Sequence, residues 1–485
     1  MGWQCTAAAP LSVRSPGVRA PTGRRYDRVV IADDLRSRSL WLDLLPGEIV
    51  ARSPLAGDVD VDVAIVGGGY TGLWTAHSLL RRDPTLRVLV IEREMVGFGA
   101  SGRNGGWCVG EMAGGHTVGA PMIRAIVDTV DEVGRVVADE GIECGFARGG
   151  VVRLARTRPQ LARQRHEVEE MARLGFGDEV IRPLDADEAR RRLAATDVLG
   201  ALYYAPAARI QPAALARGLA DAVERLSGTI VEQTSASELV AATPTSRARV
   251  VTDHGTVRAD VVVRATEAYT RDLAGHRRAL APLYSLMVAT EPLPDEVWAE
   301  IGLAEAELFA DDRRMVIYGQ RTVDGRIAFG GRGAPYRYGS RVDRATESSS
   351  EVHDRIAATL HDLVPASREA RITHRWGGVL GVPRDWRPSV GLDRTTGLAW
   401  AGGYVGEGVA AANLAGRTLA DLVTGARTDL TALPWVNHSS REWEPEPLRW
   451  LGISAARRLA AWTDTREEHL QRTPRVAAVL DRLVR

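Results

Sequence analysis

The chain contains no lysine: all 62 of its basic residues are arginine, and 62 acidic residues bring the formal net charge to zero. A balanced surface offers no long-range field to nucleic acid or an anionic membrane, so the expected partner is a small molecule. Cysteine is nearly absent. Cys5, Cys108 and Cys144 are too few and too scattered for a disulfide framework or a metal site, and no CxxC or HExxH spacing occurs. That usage fits a reducing, cytoplasmic setting. No apolar run approaches membrane-spanning length, and the first two dozen residues, rich in Ala, Pro, Gly and Arg, lack the apolar core of a secretory signal. No hydrophobic region follows Arg24-Arg25, which weighs against twin-arginine export. No repeat of solenoid period is visible.

What is present is ordinary globular material: 485 residues, 45% hydrophobic, enough for two or three domain-sized units. Its most informative stretch is 63–106. Val63-Ala64-Ile65-Val66 reads as a short apolar strand, 67–72 as a glycine turn, and 73–82 as a helix that Asp83-Pro84 stops. Such a turn suits a dinucleotide. Gly67 makes the bend, Gly69 lets the backbone approach a pyrophosphate, and Gly72 lets helix and strand pack closely while the helix N-terminus faces phosphate charge. A second strand, 87–91, ends in Glu92, where an acid holds the adenosine ribose hydroxyls and disfavours a 2′-phosphate. A second glycine-rich loop, 97–106, follows at once.

Farther on, apolar residues at helical spacing over 122–137 predict a one-sided helix, 148–154 reads as a strand, and 159–174 as a surface helix with solvated arginines. A capped helix at 185–193, a helix at 212–226 and strands at 229–233, 248–253, 256–258 and 261–263 come next. Segments 283–290, 315–318, 326–329 and 371–376, with the Asp324-Gly325 turn, predict a mainly antiparallel sheet on the substrate side. The strand 397–400, the glycine loop 402–408 and the helix 409–423 supply another helix N-terminus suited to a negative or polarised group. The tail from 449 to 485 reads as helices that pack.

Residues 62–106, with VAIVGGGYTG, the acid in VIERE and the loop GFGASGRNGG, resemble the FAD-binding opening of the D-amino acid oxidase family, and within it the gamma-glutamylputrescine oxidoreductase branch. The likeness continues through VVVRATEAYT (261–270), RIAFGGRG (326–333), RWGG (375–378) and WRPSVGLD (386–393) to AGGYVGEGVAAANLAGRTLADLV (401–423), covering about 39–425. It implies an α/β protein: a Rossmann-like FAD-binding domain of glutathione-reductase type with an inserted, mainly antiparallel β-sheet substrate domain. The FAD-binding parts would be 39–150, 206–275 and 375–430, and the substrate parts 151–205 and 276–374. Residues 1–38 read as a disordered or extended segment, or as an overlong start, and 431–485 as a helical tail.

The resemblance further implies hydride transfer from a carbon–nitrogen bond to flavin, giving an imine that hydrolyses to a carbonyl product, with oxygen or another electron acceptor. Its cofactor set begins with Gly67, Gly69, Tyr70, Thr71, Gly72, Glu92 and Arg93. Ala100, Ser101, Arg103, Asn104, Gly105 and Gly106 would wrap the flavin end, with donors from Ser101, Arg103 and Asn104. Val231, Ala265, Thr266 and Trp376 join them. Gly403, Tyr404, Gly406, Gly408 and Val409 belong to a loop expected to aim N–H groups at the flavin N1/O2 edge.

The departures narrow these expectations. Relatives with covalent flavin use a Cys or His that neither RWGGVLG nor GASGRNGG offers, so FAD is expected to be non-covalent and Cys108 to be a small buried residue. Ala328 falls where sarcosine oxidase relatives place a lysine that promotes reaction with oxygen. Either Arg332 supplies that positive charge or electrons pass to another acceptor. Arg384 lies in the segment (379–385) where relatives clamp a carboxylate but cannot be placed at that point, which favours an amine lacking an α-carboxylate. Arg332, Tyr404 and Tyr318 are the catalytic candidates. Tyr284, Tyr318, Tyr336, Tyr404 and Trp376 suit a protonated amine by cation–π contact, although each singly suits a core and Tyr404 is the exception. His77 and His374 read as structural. Glu407 reads as a helix cap or as a partner for a cationic amine. No metal is expected. An NADPH-dependent flavin monooxygenase shares the opening fingerprint but needs a second nucleotide turn, which is not evident. A non-catalytic flavoprotein subunit would not need the retained flavin-facing set.

Overall fold

A computed structural model describes residues 29–30 and 35–477. Cys5, Arg24-Arg25, most of the 1–38 segment and the last eight residues of the tail therefore lie outside the described residues. Within that opening segment, Val29–Val30 pairs antiparallel with Val50–Ala51.

Strand Val63–Val66 alternates its apolar side chains between two cores. Val63 and Ile65 join the helices on one face, while Ala64 and Val66 join a smaller sheet on the other. A strand buried on both faces carries an unbroken apolar run, as this one does. It sits third in a six-stranded sheet ordered Thr229–Val231, Val88–Ile91, Val63–Val66, Val261–Arg264, Leu398–Gly402 and Ser389–Asp393. The first five run parallel and the last antiparallel. Helices Tyr70–Arg82, Ala120–Asp139, Pro212–Arg225 and Gly408–Thr424 cover one face. A Cβ on Gly416 would come within 2.6 Å of the Trp74 backbone, so glycine sets the spacing between two of these helices. A four-stranded sheet, Ala236–Val240, Ala248–Thr252, Gly255–Ala259 and Val59–Asp60, covers the other face.

The second large sheet has eight strands in the order Ile372–Val382, Ala281–Thr290, Ile327–Arg332, Ile317–Arg321, Leu308–Asp311, Val151–Ala155, Gly200–Tyr204 and Ile181–Leu184. All neighbours are antiparallel except Leu308–Asp311 beside Val151–Ala155. Helix Ser350–Leu363 packs on it, and Phe309 stacks on Phe329 at 5.9 Å. The chain is thus an α/β protein with a Rossmann-like layer and an inserted, mainly antiparallel sheet.

Several boundaries differ from the sequence reading. The first helix begins at Tyr70 because Gly69 takes the N-cap position. The strand read at 148–154 is broken: Ala147–Arg148 joins a three-stranded sheet with Trp107–Val109 and Ala207–Arg209, whereas Val151–Ala155 enters the large sheet. Gly149 presses on the backbone at Ala306, and Gly150 turns the chain at φ 70°. Strand Ile372–Val382 continues past Trp376 and crosses the boundary drawn at 374. The helix Arg158–Arg173 is not uniformly solvated, since Arg163 bonds Asp312 and, at 2.9 Å, Glu467 on the tail helix Leu448–Leu470. Among the described residues, no helix is long and apolar enough to cross a membrane, and no group of three or more His, Cys, Asp or Glu residues could hold a metal.

Candidate cofactor and substrate site

At the carboxyl ends of the parallel strands lies a cleft, the place where open α/β sheets bind ligands. Of the expected cofactor residues, Gly67, Gly69, Tyr70, Thr71, Glu92, Arg93, Ala100, Ser101, Ala265 and Thr266 line it. The helix Tyr70–Arg82 opens on this cleft without a side-chain cap of its own. Ser101 Oγ comes from the second glycine loop and accepts the Tyr70 N–H at 2.9 Å, which ties the two loops together. A Cβ on Gly69 would meet only the Ser101 side chain, 2.9 Å away. Gly72 faces inward instead, where a Cβ would strike the Gly67 carbonyl at 2.0 Å. A helix start whose N-cap is glycine, with glycine at the point of approach, fits a pyrophosphate.

Glu92 ends its strand with both oxygens engaged: Oε2 accepts the Gly68 N–H at 2.7 Å and Oε1 the Glu94 N–H at 2.9 Å. Burial pushes its pKa up to about 7 against those two hydrogen bonds. Arg93 stacks on Tyr269 at 4.9 Å and pairs with Asp272 at 3.2 Å. Sequence reasoning missed Glu267, Tyr269 and Asp272, which line the same cleft from a short 3₁₀ helix, Glu267–Asp272. The signal was present in VVVRATEAYT, of which Ala265 and Thr266 alone were taken.

The other expected cofactor residues sit elsewhere. Val231 lies on a separate cleft beside Arg52 and Glu224. Arg103 offers its guanidinium not to open space but to Glu347 at 2.8 Å, where it is nearly fully buried over Phe98. Asn104 spends both amide hydrogens on the Ala100 and Ser101 carbonyls and accepts the Gly106 N–H at 2.8 Å. Trp376 props the same loop through Nε1 to the Arg103 carbonyl at 2.9 Å, edge-on to Trp41. Gly105 takes the Tyr318 ring against its backbone, and Gly106 the Gln320 amide. The Gly403 and Tyr404 N–H groups, expected to point at flavin, are received by Glu267 Oε1 at 3.1 Å each. Gly406, Gly408 and Val409 complete the turn into the helix Gly408–Thr424.

Two of the three catalytic candidates meet where the antiparallel sheet approaches this loop. Arg332 ends its strand with Nη2 donating to the Val405 carbonyl at 2.7 Å, and Tyr318 lies on the neighbouring strand with its hydroxyl 2.7 Å from Ser285 Oγ. Burial lowers the Arg332 pKa while nearby Glu407 opposes the shift. Glu407 is pushed up to about 7 by burial, with Glu111 adding to it and Arg332 opposing, and its Oε2 has no hydrogen-bond partner. Tyr404 points the other way, its hydroxyl 3.0 Å from Thr71 Oγ1, so it anchors the loop and does not form an amine cage. Tyr284 donates nothing to this space, its hydroxyl accepting the Asp343 N–H, and Tyr336 bonds Ser340 and Glu446. His77 pairs with Glu140 and His374 with Asp43, both structural. Arg384 is committed to Glu444 at 3.0 Å. Ala328 packs among Trp41, Met287 and Trp376. Cys108 is completely buried, with its thiol pushed far above the usual range by burial.

Comparison with known proteins agrees with this arrangement. Residues 62–422 match the family model described as FAD dependent oxidoreductase. The chain is 30% identical to gamma-glutamylputrescine oxidoreductase of Escherichia coli over 76% of its own length and 84% of that protein. It is 26% identical to glycine oxidase of Geobacillus kaustophilus over 77% of its length and 96% of that protein. The crystal structure of glycine oxidase from Geobacillus kaustophilus shares the fold, with a TM-score of 0.67 at 22% identity, covering 78% of this chain and 99% of that one. The chain therefore belongs to the DAO family of FAD dependent oxidoreductases, and it is an enzyme acting on the carbon–nitrogen bond of an amine or amino acid with FAD as its cofactor.

Proposed function

We propose that the substrate is an amine without an α-carboxylate, oxidised in the space bounded by Tyr318, Arg332 and the 402–408 loop. The observation that carries this reading is the unpartnered Glu407 Oε2 beside Arg332. A buried carboxylate with an open acceptor favours a cation. Arg384, in the segment where relatives clamp a carboxylate, is already paired with Glu444.

FAD, when bound, supplies the two-electron acceptor for the C–N bond. Residues 67–72, Glu92, Ser101, Ala265 and Thr266 would hold it, without a covalent link, since Cys108 is sealed in the core. The chain's own part is orientation, exclusion of water and one proton. An amine must be neutral to give up a hydride. Glu407 Oε2 accepts the ammonium proton, which its pKa of about 7 permits near neutral pH. Before that transfer Arg332 balances the Glu407 carboxylate, and Tyr318, fixed by Ser285, walls the pocket. The two described cysteines, Cys108 and Cys144, are free and buried, which supports a reducing, cytoplasmic setting.

The test is anaerobic stopped-flow absorbance of the yellow holoenzyme against a panel of amines and amino acids, followed by air. Bleaching by amines but not by their α-carboxylated counterparts is expected. Preferential bleaching by amino acids would overturn the substrate reading. Fast return of colour in air would identify oxygen as the acceptor, and slow return another oxidant.

A further inference from the structure

The tail helix Leu448–Leu470 is turned inside out. Leu448, Leu451, Trp462 and Leu470 are exposed, whereas Arg449, Thr463 and Glu467 are buried against the body of the protein. A helix seated mainly by hydrophobic burial would present the opposite faces. This one is located by hydrogen bonds, which are directional and fix a position, where apolar contact alone permits sliding. Several of those bonds converge on the backbone around Arg332. Asp464 accepts the Arg314 and Met315 N–H groups, one on each carboxylate oxygen, at 2.8 Å. The next residue, Val316, accepts the Arg332 N–H at 2.9 Å. Arg457, about two turns back along the same face, donates Nη1 to the Gly333 carbonyl at 3.1 Å. Among the described residues Arg457 has no acidic partner, and its charged neighbours are Arg355 and Arg458. Gly333 turns at φ 133°, which glycine adopts freely, so the chain leaving Arg332 is not held by its own backbone preference. Trp450 and Ile453 of the same helix pack on the cluster that contains Val405, whose carbonyl receives Arg332 Nη2.

We infer that Arg457 and Asp464 are positioning residues for the reaction, holding the backbone on either side of Arg332 so that its guanidinium meets the Val405 carbonyl beside Glu407. The inference rests on the reading of Arg332 as part of the site. Arg457 grips the peptide that follows Arg332 directly, and Asp464 grips the segment whose Val316 carbonyl takes the Arg332 N–H. The helix that carries both lies beyond residues 62–422, the span that matches the family. A charged group displaced by about 1 Å from its working position can cost on the order of a hundredfold in rate, so loss of one of two grips should be readable as about tenfold.

The test is single-turnover reduction of the flavin in the holoenzyme, by butylamine or whichever amine of the panel above bleaches the parent faster. Arg457→Met should lower the limiting rate by about tenfold while the apparent amine Kd stays within about threefold, and Arg457→Lys, which restores a donor to the Gly333 carbonyl, should recover most of the rate. A lower flavin content or thermal midpoint with an unchanged rate per bound flavin would make the arginine merely structural and overturn the inference. In an Arg332→Met background, Arg457→Met should add less than about twofold, because both act through one group; independent tenfold losses overturn it too. A slowed Arg332→Met beside an unaltered Arg457→Met sinks the inference alone, whereas parental rates in both half-reactions for Arg332→Met sink the reading of Arg332 and the inference with it. Asp464 gives a second measurement that needs no substrate. Asp464→Asn keeps the shape but turns a donor toward one of the two N–H groups, so the Arg314, Met315 and Arg332 amides should exchange with deuterium about tenfold faster while the parallel sheet keeps its protection. Parental protection at those three amides overturns the inference whether or not any amine is turned over.

Discussion

Gly69 and Gly72 are three positions apart and do unlike work. A methyl on Gly72 meets the Gly67 carbonyl at 2.0 Å, backbone against backbone, so Gly72→Ala has to move strand or helix. It should destabilise the fold by about 3 kcal/mol, read as a lowered urea midpoint at unchanged slope. A methyl on Gly69 meets a single serine side chain, and its φ of −86° suits any residue. Gly69→Ala should therefore unfold near the parent midpoint while losing most of its flavin on a desalting column. Equal losses of stability in both variants would contradict the division. Arg332→Met, which removes the guanidinium from the Val405 carbonyl, should slow reduction or reoxidation by at least about tenfold in single-turnover kinetics; unchanged rates in both half-reactions would make the residue structural.

These glycines were legible in the sequence because a tight turn places its demands locally. Arg103 was not. Its partner Glu347 lies 244 positions away, and nothing near Arg103 announces that its charge is already taken. Glu267 escaped for the same reason, since the N–H groups it receives belong to a loop 136 and 137 residues further on.

At the scale of elements, the 402–408 loop connects both halves of the site. It is pinned to the parallel-sheet layer by Glu267 and Thr71 and to the antiparallel sheet by Arg332. Gly402, Gly403 and Gly406 take positive φ freely, but Val405 does so at a cost, at φ 59°, so the loop's contacts hold it there. Tyr404→Phe removes the Thr71 tie, a hydrogen bond of about 1 kcal/mol, and should speed FAD release by roughly fivefold without altering the unfolding slope. A release rate equal to that of the parent would show the tie to be idle. The five parallel strands were readable from apolar runs and glycine turns, although their order in the sheet was not. The eight-stranded sheet was harder, because Leu308–Asp311 and Gly200–Tyr204 carry no flanking turn signature and are fixed as strands by their neighbours.

At the scale of the molecule, segments outside the family match fasten its parts. Trp41 donates to the Asn104 carbonyl at 2.7 Å, Trp443 to the Val382 carbonyl at 2.7 Å, and Asp464 on the tail helix accepts the Arg314 and Met315 N–H groups at 2.8 Å. Arg52 is the most exacting of these fasteners. It pairs with Asp221, Glu224 and the fully buried Glu232. Arg52→Ala leaves that last carboxylate buried and uncompensated and should cost about 3 kcal/mol, seen as a lower thermal midpoint. A shift of under a degree would mean that the Val96 N–H already satisfies Glu232.

The parallel sheet draws its strands from four distant stretches of chain, and its central Val261–Arg264 finds one neighbour at Val63–Val66 and the other only at Leu398–Gly402. During synthesis the cofactor layer therefore waits, with a valine-rich edge open, while more than a quarter of the protein is still being made. At ribosomal speed that interval is on the order of ten seconds. Folding of the nucleotide layer is a late event for this chain, and a nascent molecule depends on being shielded from its neighbours until the strand at Leu398 arrives.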